Sequence, residues 1–292
     1  AQFIEQHPNV RILDNPQKTT PHALNLGIEA ARNDIIIRVD AHSEYPNDYI
    51  TKLIYWLTHT TADNVGGTCV TRAANASTLA KAIAKGLSSR FGVGNSYFRV
   101  GATQPMWVDT VPFGCFKKEL FTKIGLFDEE LIRNQDDEFN HRIINNGGRI
   151  LLVPDIQIKY YARDSLLKLW RMFYQYGYFK PIAASKVGGV KTIRQLVPSI
   201  FLISLGCSLF LSFFVPNFVV IPLCIVAAYV TALTAGALST CSNSGISCIL
   251  FMYLIFPTIH FSYGTGYIRG MLALCLQSTS ATVGKKEFSL SR

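Results

Sequence analysis

Between Leu196 and Tyr267 the chain carries no aspartate, glutamate, lysine or arginine, and His260 is its only ionisable side chain apart from cysteines and tyrosines. Three apolar stretches fill this region: Leu196–Val215, Phe218–Leu238 and Ile246–Tyr267. Each approaches the roughly 20 residues that carry a helix across a bilayer core. Pro216-Asn217 predicts a tight turn between the first two, as in a helical hairpin. Three full spans would place Lys285, Lys286 and Arg292 on the outer side, against the bias of basic residues towards the cytoplasm. A re-entrant or interfacial third segment, with Pro257 and Gly264 inside it, returns them to the cytoplasm, and the charge pattern favours that arrangement.

The rest of the chain is of another kind. The averages of 49% hydrophobic and 16% charged residues conceal one compositional shift, near Arg194. The expected organisation is an α/β domain over residues 1–163, an amphipathic interface segment over 164–194, a membrane region over 195–276 and a tail over 277–292. The net charge of +9 suits nucleic acid, anionic lipid or phosphorylated ligands. Lys168, Arg171, Lys180, Lys186, Lys191 and Arg194 gather just before the apolar region, interleaved with Trp170, Phe173, Tyr174, Tyr176, Tyr178 and Phe179. This predicts a basic and aromatic belt at a membrane surface, and no nucleic-acid motif accompanies the charge. The seven cysteines form no CxxC pair and are read as reduced. The chain opens on Ala1 without a signal peptide and reads as beginning inside a domain.

Periodicity orders the first part. Val10–Leu13 predicts a short strand, "HALNLGIEAARN" an amphipathic helix, and Ile35–Val39 a strand buried on both faces, together a βαβ unit. Further helices are expected over Tyr49–His59, Leu79–Arg90, Lys118–Ile124, the segment ending at Asn146, and Leu166–Tyr178. Strands are expected at "NVGGTCVTR", "WVDTVPFGCF" (broken at Pro112 and Gly114) and "RILLVPD", and "FGVGNSYFR" is expected to be a loop. Ligands of open α/β sheets bind beyond the carboxyl ends of the strands, and Asp40 and His42 stand at such an end.

Three stretches carry candidate chemistry. In "RVDAHSEYP", Asp40 and His42 lie two apart, so in extended backbone they face one way. A carboxylate and an imidazole suit Mn²⁺, and less well Mg²⁺; on spacing alone, a capped strand end with Asp40 bonding the turn is the favoured reading. In "RNQDDEFNHRI", Asp136, Asp137 and Glu138 open a helix, where acids suit the dipole. One of them could instead be a general base, its pKa lifted by repulsion from the other two. In "WRMFYQYGYFK", Gln175, Gly177 and Lys180 could approach a phosphate on a helix that otherwise packs against a membrane surface.

In this order, and followed by apolar segments, these stretches resemble the membrane-anchored family 2 glycosyltransferases similar to succinoglycan-biosynthesis glucosyltransferases. "RVDAHSEYP" looks like the family's D-x-D region, "VDTVPFG" like its acceptor-side strand and loop, and "RNQDDEFNHRI" like its E-D-x-D-L-x-x-R stretch. "YQYGYFK" looks like its Q-x-x-R-W region, and "HFSYGTGY" like the C-terminal membrane segment of the subgroup. The resemblance implies a GT-A-like (Rossmann-related), mostly parallel sheet domain followed by transmembrane helices. It implies an inverting transfer of a sugar, glucose in this subgroup, from a nucleotide-sugar such as UDP-glucose to a lipid-linked saccharide in exopolysaccharide or cell-surface polysaccharide synthesis. Asp40 and His42 would hold Mn²⁺ or Mg²⁺ against the diphosphate, Asp136 would be the base, and Gln175 would lie with Asp40 at the donor. The domain would stand on the cytoplasmic face of the inner membrane. A polyprenyl-phosphate sugar transferase and a non-catalytic partner of a polysaccharide machinery are the alternatives. His42 stands where the family has a second Asp, Gln135 where it has Glu, and Tyr178-Phe179 where it has Arg-Trp. The family's first strand and its P-x-x-N-E turn have no counterpart in the sequence.

Overall fold

The structure, a computed structural model, describes residues 6–276 apart from Pro8, His42 and Lys191. In its first part, helix α1 (Thr20–Ala30) is followed by β1 (Ile35–Ile37), β2 (Ser43–Glu44), α2 (Tyr49–His59) and β3 (Asn64–Arg72). Next come α3 (Thr78–Leu87), whose first turn is capped by the Ser77 hydroxyl accepting from the Ala80 N–H, and two single-turn helices, α4 (Arg90–Val93) and α5 (Tyr97–Val100). These two occupy the stretch expected to be a loop. Then follow β4 (Met106–Trp107), β5 (Cys115–Lys117), α6 (Lys118–Ile124), α7 (Gln135–Asn145), β6 (Ile150–Tyr161) and α8 (Leu166–Lys186).

The sheet runs β1-β5-β3-β6-β2, with β4 also paired to β6. It is mixed rather than mostly parallel. The long β3–β6 ladder is parallel, and the four short pairings around it are antiparallel. Period-two alternation splits β6 between two cores. Leu151 and Val153 pack with Tyr49, Leu53 and Leu57 of α2, whereas Ile150 and Leu152 pack with Phe139 and Ile143 of α7. The ladder shifts register between Gly67 and Thr68, where β6 bulges around Pro154. A proline fits a bulge because no ladder bond is asked of its nitrogen. Gly67 is required there: an added Cβ would lie 2.1 Å from the Ile156 carbonyl oxygen.

The expected βαβ unit is not present. Val10, Ile12 and Leu13 are exposed and pair with no strand among the described residues. β1 stops at Ile37 and lies at a sheet edge, antiparallel to β5, so Val39 is 58% exposed. An Ile-Val run signals burial only where a neighbouring strand and covering layers supply it.

Helices α9 (Val197–Phe214), α10 (Val220–Thr240) and α11 (Ile246–Cys275) follow, with a 3₁₀ turn at Pro216–Val219 making the hairpin. All three are long and apolar enough to cross a membrane. They are not equivalent. The most apolar windows of the first two are 11% buried within the protein and that of α11 is 33% buried. α11 lies against the first domain, packing Met252, Ile255, Phe256 and Ile259 with Ile83 and Leu87 of α3 and Leu169, Met172 and Phe173 of α8. Glycines let the backbones touch. A Cβ on Gly266 would meet the Tyr174 carbonyl oxygen at 2.2 Å, one on Gly270 the Tyr178 carbonyl oxygen at 2.2 Å, and one on Gly177 that of Tyr263 at 2.1 Å.

Two sequence expectations are corrected by this packing. Cys241 and Cys248 form a disulfide, because the α10–α11 turn brings their Cα atoms to 5.9 Å. Part of the basic and aromatic belt turns inward, while Lys168, Trp170 and Arg171 stay exposed. Tyr178 and Phe179 are fully buried. Lys180 pairs with Asp137, Lys186 with Asp128 and Glu130, and Arg194 with Asp109. Lys191 and the basic residues of the tail lie outside the described residues.

Candidate active site

The end of β1 sets the site's first half. The Arg38 N–H donates to the Gly114 carbonyl at 3.1 Å, continuing the β1–β5 alignment one residue past the strand. Its guanidinium, with only 8% of the side chain exposed, lies 5.8 Å from the ring centroid of Phe113. Asp40 is anchored by its backbone, whose N–H donates to the Tyr45 hydroxyl at 2.6 Å.

The second half is the first turn of α7. Asn134 precedes it in the left-handed region, φ 61°, a conformation that asparagine tolerates better than most residues. Its side-chain amide donates to the Tyr176 carbonyl of α8 at 2.9 Å. This contact fixes where Asp136 and Asp137 emerge.

Arg38 joins the halves. Its Nε and Nη2 donate to the two oxygens of Asp40 at 2.9 and 3.1 Å, and its Nη1 donates to Asp136 Oδ1. One buried cation therefore bridges two carboxylates that are 96 positions apart in the sequence numbering, Asp40 and Asp136. Burial opposes the charge on Arg38, yet Asp136 and Asp40 more than compensate and raise its pKa. Asp136 is pushed above the usual carboxylate range, chiefly by burial; Arg38 opposes the rise, while Asp40 and Asp137 add to it. A third of its side chain still reaches the cavity, and among the described residues nothing hydrogen-bonds its Oδ2.

The three adjacent acids thus have separate employments. Glu138 is 3% exposed and forms a two-point pair with Arg142. Burial works against ionisation of Asp137, but Lys180 and His141 hold its pKa below the usual range. Repulsion among the acids is therefore the lesser cause of the shift at Asp136. Replacing Lys180 with methionine is expected to destabilise the protein by about 3 kcal/mol, because Asp137 is left buried with only the more distant His141 facing it. The sign with pH follows from the depressed pKa of Asp137. Its contribution is present above its unfolded pKa and is lost as pH falls through the folded one. Denaturation midpoints measured from pH 7 downwards should show a shallower acid slope in K180M than in the parent; equal slopes would contradict the pairing.

These residues line a cavity of about 990 Å³ shared by Arg38, Asp40, Asp136, Gln175 and Lys180. Gln175 is buried, and its Oε1 accepts from Arg133 Nε at 3.1 Å. The sequence-predicted Asp40, Asp136 and Gln175 are thus brought to one cavity, whereas His42 lies outside the described residues. Among the described residues no three His, Cys, Asp or Glu side chains cluster around one point. Asp40 fits a divalent ion held by one protein carboxylate with ligand phosphates completing its shell. Among the described residues the donors of an all-protein cage are not brought together.

Sequence reasoning passed over Arg38. The signal was present, since Arg38 and Asp40 are two apart in extended backbone and so share a side. Its link to Asp136 depends on the tertiary fold.

Residues 1–125 match the family model described as glycosyl transferase family 2. The matched segment contains Arg38 and Asp40 and stops before Asp136. The succinoglycan biosynthesis protein ExoA of Rhizobium meliloti (strain 1021) is 31% identical over 195 residues, covering 66% of this chain and 58% of that protein. A dolichyl N-acetyl-alpha-D-glucosaminyl phosphate 3-beta-D-2,3-diacetamido-2,3-dideoxy-beta-D-glucuronosyltransferase of Methanococcus voltae is 28% identical over 204 residues, covering 68% and 61%. The chain thus spans about three fifths of the length of these curated relatives. Among solved structures, the mannosyltransferase PcManGT from Pyrobaculum calidifontis in complex with GDP-Man and Mn²⁺ is similar at 17% identity and a TM-score of 0.46, over 98% of this chain and 72% of that one.

Proposed function

We propose that the first domain is an inverting glycosyltransferase that moves a sugar, glucose by its likeness to the succinoglycan protein, from a nucleotide-sugar such as UDP-glucose to a lipid-linked saccharide. The product would serve exopolysaccharide or cell-surface polysaccharide synthesis, with the domain on the cytoplasmic face of the inner membrane. The observation that carries this reading is the Arg38 bridge, which sets a carboxylate of raised pKa beside a second carboxylate suited to a phosphate-bound cation. Asp136 Oδ2 takes the proton of the acceptor hydroxyl as its oxygen bonds to the anomeric carbon. The bond from that carbon to the diphosphate oxygen breaks, and the nucleoside diphosphate leaves with the electron pair. Attack opposite the leaving group inverts the centre. Asp40 and His42 would hold a divalent ion, which would supply neutralising charge for the leaving diphosphate. Gln175 positions Arg133 at the cavity wall.

The test is a transfer assay with the detergent-solubilised chain, labelled UDP-glucose and a lipid-linked saccharide. Label should move to the lipid fraction with Mn²⁺, stop on chelation, and resume when Mn²⁺ is restored. Failure of UDP- and GDP-sugars alike, with either Mn²⁺ or Mg²⁺, would overturn the proposal.

A further inference from the structure

α11 is long and apolar enough to cross a bilayer, yet its neighbour along one side is α8. The two helices run parallel. Towards their starts Met252 and Ile255 pack with Leu169 and Met172, and towards their ends Ala273 and Leu274 pack with Ile182 and Ala183. From Met252 to Leu274 the contact follows the helix axis for roughly 33 Å. That is the thickness of a whole hydrocarbon core.

α8 cannot follow α11 into hydrocarbon. Lys168 in its first turn pairs with Asp164, Lys180 pairs with Asp137, and Lys186 at its end pairs with Asp128 and Glu130. Charge is thus present along the whole of α8, and a charged side chain inside a bilayer is costly. A helix that crossed the membrane beside α8 would draw these pairs, with β6 and α7 behind them, through the core. α11 itself carries an exposed Arg269 within its last two turns.

The face of α11 turned away from α8 is apolar at both ends, with Ile246, Leu250 and Leu254 exposed at one and Met271 and Leu272 at the other. Between these patches stands the α9–α10 hairpin. The Phe201 ring lies 5.7 Å from that of Phe261, and a Cβ on Gly264 would meet the Pro198 carbonyl oxygen at 2.8 Å. Both feet of the hairpin rest on the first domain. Before α9, Arg194 donates to Asp109 at 2.7 Å and to the Asn95 carbonyl at 2.8 Å, and at the end of α10 Thr240 donates to Ser89 at 2.8 Å. The hairpin therefore leaves the domain and returns to it, and its far end exposes Phe210, Phe213 and Phe214.

We propose that α11 lies along the membrane surface and that only the α9–α10 hairpin enters hydrocarbon. The exposed patches of α11 then rest on the headgroup and upper acyl region of the bilayer, as the apolar side of an interfacial helix does. Both ends of α11 stand on the same side of the membrane as the first domain. This placement depends on packing and charge alone and stands whatever the domain transfers.

The test is labelling by a membrane-impermeant maleimide in sealed vesicles of each orientation, using full chains with Cys207 and Cys224 changed to serine. Cys275, exposed at the end of α11, is the native probe there. Gly245→Cys marks the start of α11 and Gly27→Cys the first domain, each with nothing within 4 Å of its Cβ position; both also carry Cys275→Ser. All three sites should label from one side and stay at background from the other. Labelling of Cys275 from the side opposite Gly27→Cys would overturn the proposal. A buried charge gives an independent readout. In an upright α11, Leu254 would lie roughly 12 Å below the helix start, near the middle of the core. On the surface, a lysine there reaches the headgroups, so Leu254→Lys should keep the yield of folded, membrane-bound protein within about twofold of the parent. Val226→Lys, at an exposed position of the hairpin, should cut that yield roughly tenfold. A loss for Leu254→Lys as large as that for Val226→Lys would also overturn the proposal.

Discussion

Replacing Asp136 with asparagine is expected to cut sugar transfer by roughly 10²–10⁴-fold, the usual worth of a positioned general base, while nucleotide binding keeps its parent strength. Asparagine retains an Oδ1 that can accept from Arg38 Nη1, so the bridge to Asp40 persists and only the proton acceptor is lost. The pH profile supplies a second, independent readout. A base works ionised, so kcat rises with pH through its pKa. Burial raises that pKa at Asp136, which places the acid limb above that of an exposed carboxylate. Arg38→Met removes the charge that opposes the rise and should carry the limb higher still. Transfer by D136N at near the parent rate, or a limb that R38M leaves in place, would remove Asp136 from the role of base.

The second large effect concerns the seam between α8 and α11. Gly266→Leu puts a side chain where the Tyr174 carbonyl oxygen stands 2.2 Å from the ideal Cβ position. Overpacking commonly costs about 1–3 kcal/mol when side chains can give way. Here the obstacle is backbone on another helix, so the loss is expected at or above the top of that range, read as a fall in Tm or in yield of folded protein. Gly206→Leu is the matched control, because nothing lies within 4 Å of its Cβ position on α9. A Tm for G266L equal to that of G206L would show that α11 is not seated on α8.

The sequence made some of this legible and not the rest, for identifiable reasons. α2 and α6 have the expected ends, Tyr49–His59 and Lys118–Ile124, because local signals such as the stop at Gly125, φ 84°, decide them. The apolar helices were legible from hydropathy alone. Strand partnership was not: Val10–Leu13 has the composition of a strand but finds no strand partner among the described residues, and the direction of β1 depends on β5, far along the chain. At the site, Asp40, Asp136 and Gln175 stood out by type and motif. Their coupling did not, because Arg38, Asn134 and Lys180 act across turns that a linear pattern does not bring together. Likewise, hydropathy showed that α11 is apolar but not that it faces protein along α3 and α8. The glycines that permit this, Gly177, Gly266 and Gly270, have no side chain with which to announce it.

The seating of α11 also imposes an order on synthesis. His260 of α11 bonds to the Phe91 carbonyl of α4 across 169 positions, and the apolar cluster of α3 and α8 is closed by Met252, Ile255 and Phe256. On a ribosome adding about 5–20 residues per second, the faces of α3 and α8 wait on the order of ten seconds for the helix that covers them. The nascent chain therefore holds an uncovered apolar surface through the emergence of both arms of the α9–α10 hairpin. Its last described helix is the one that completes its first domain.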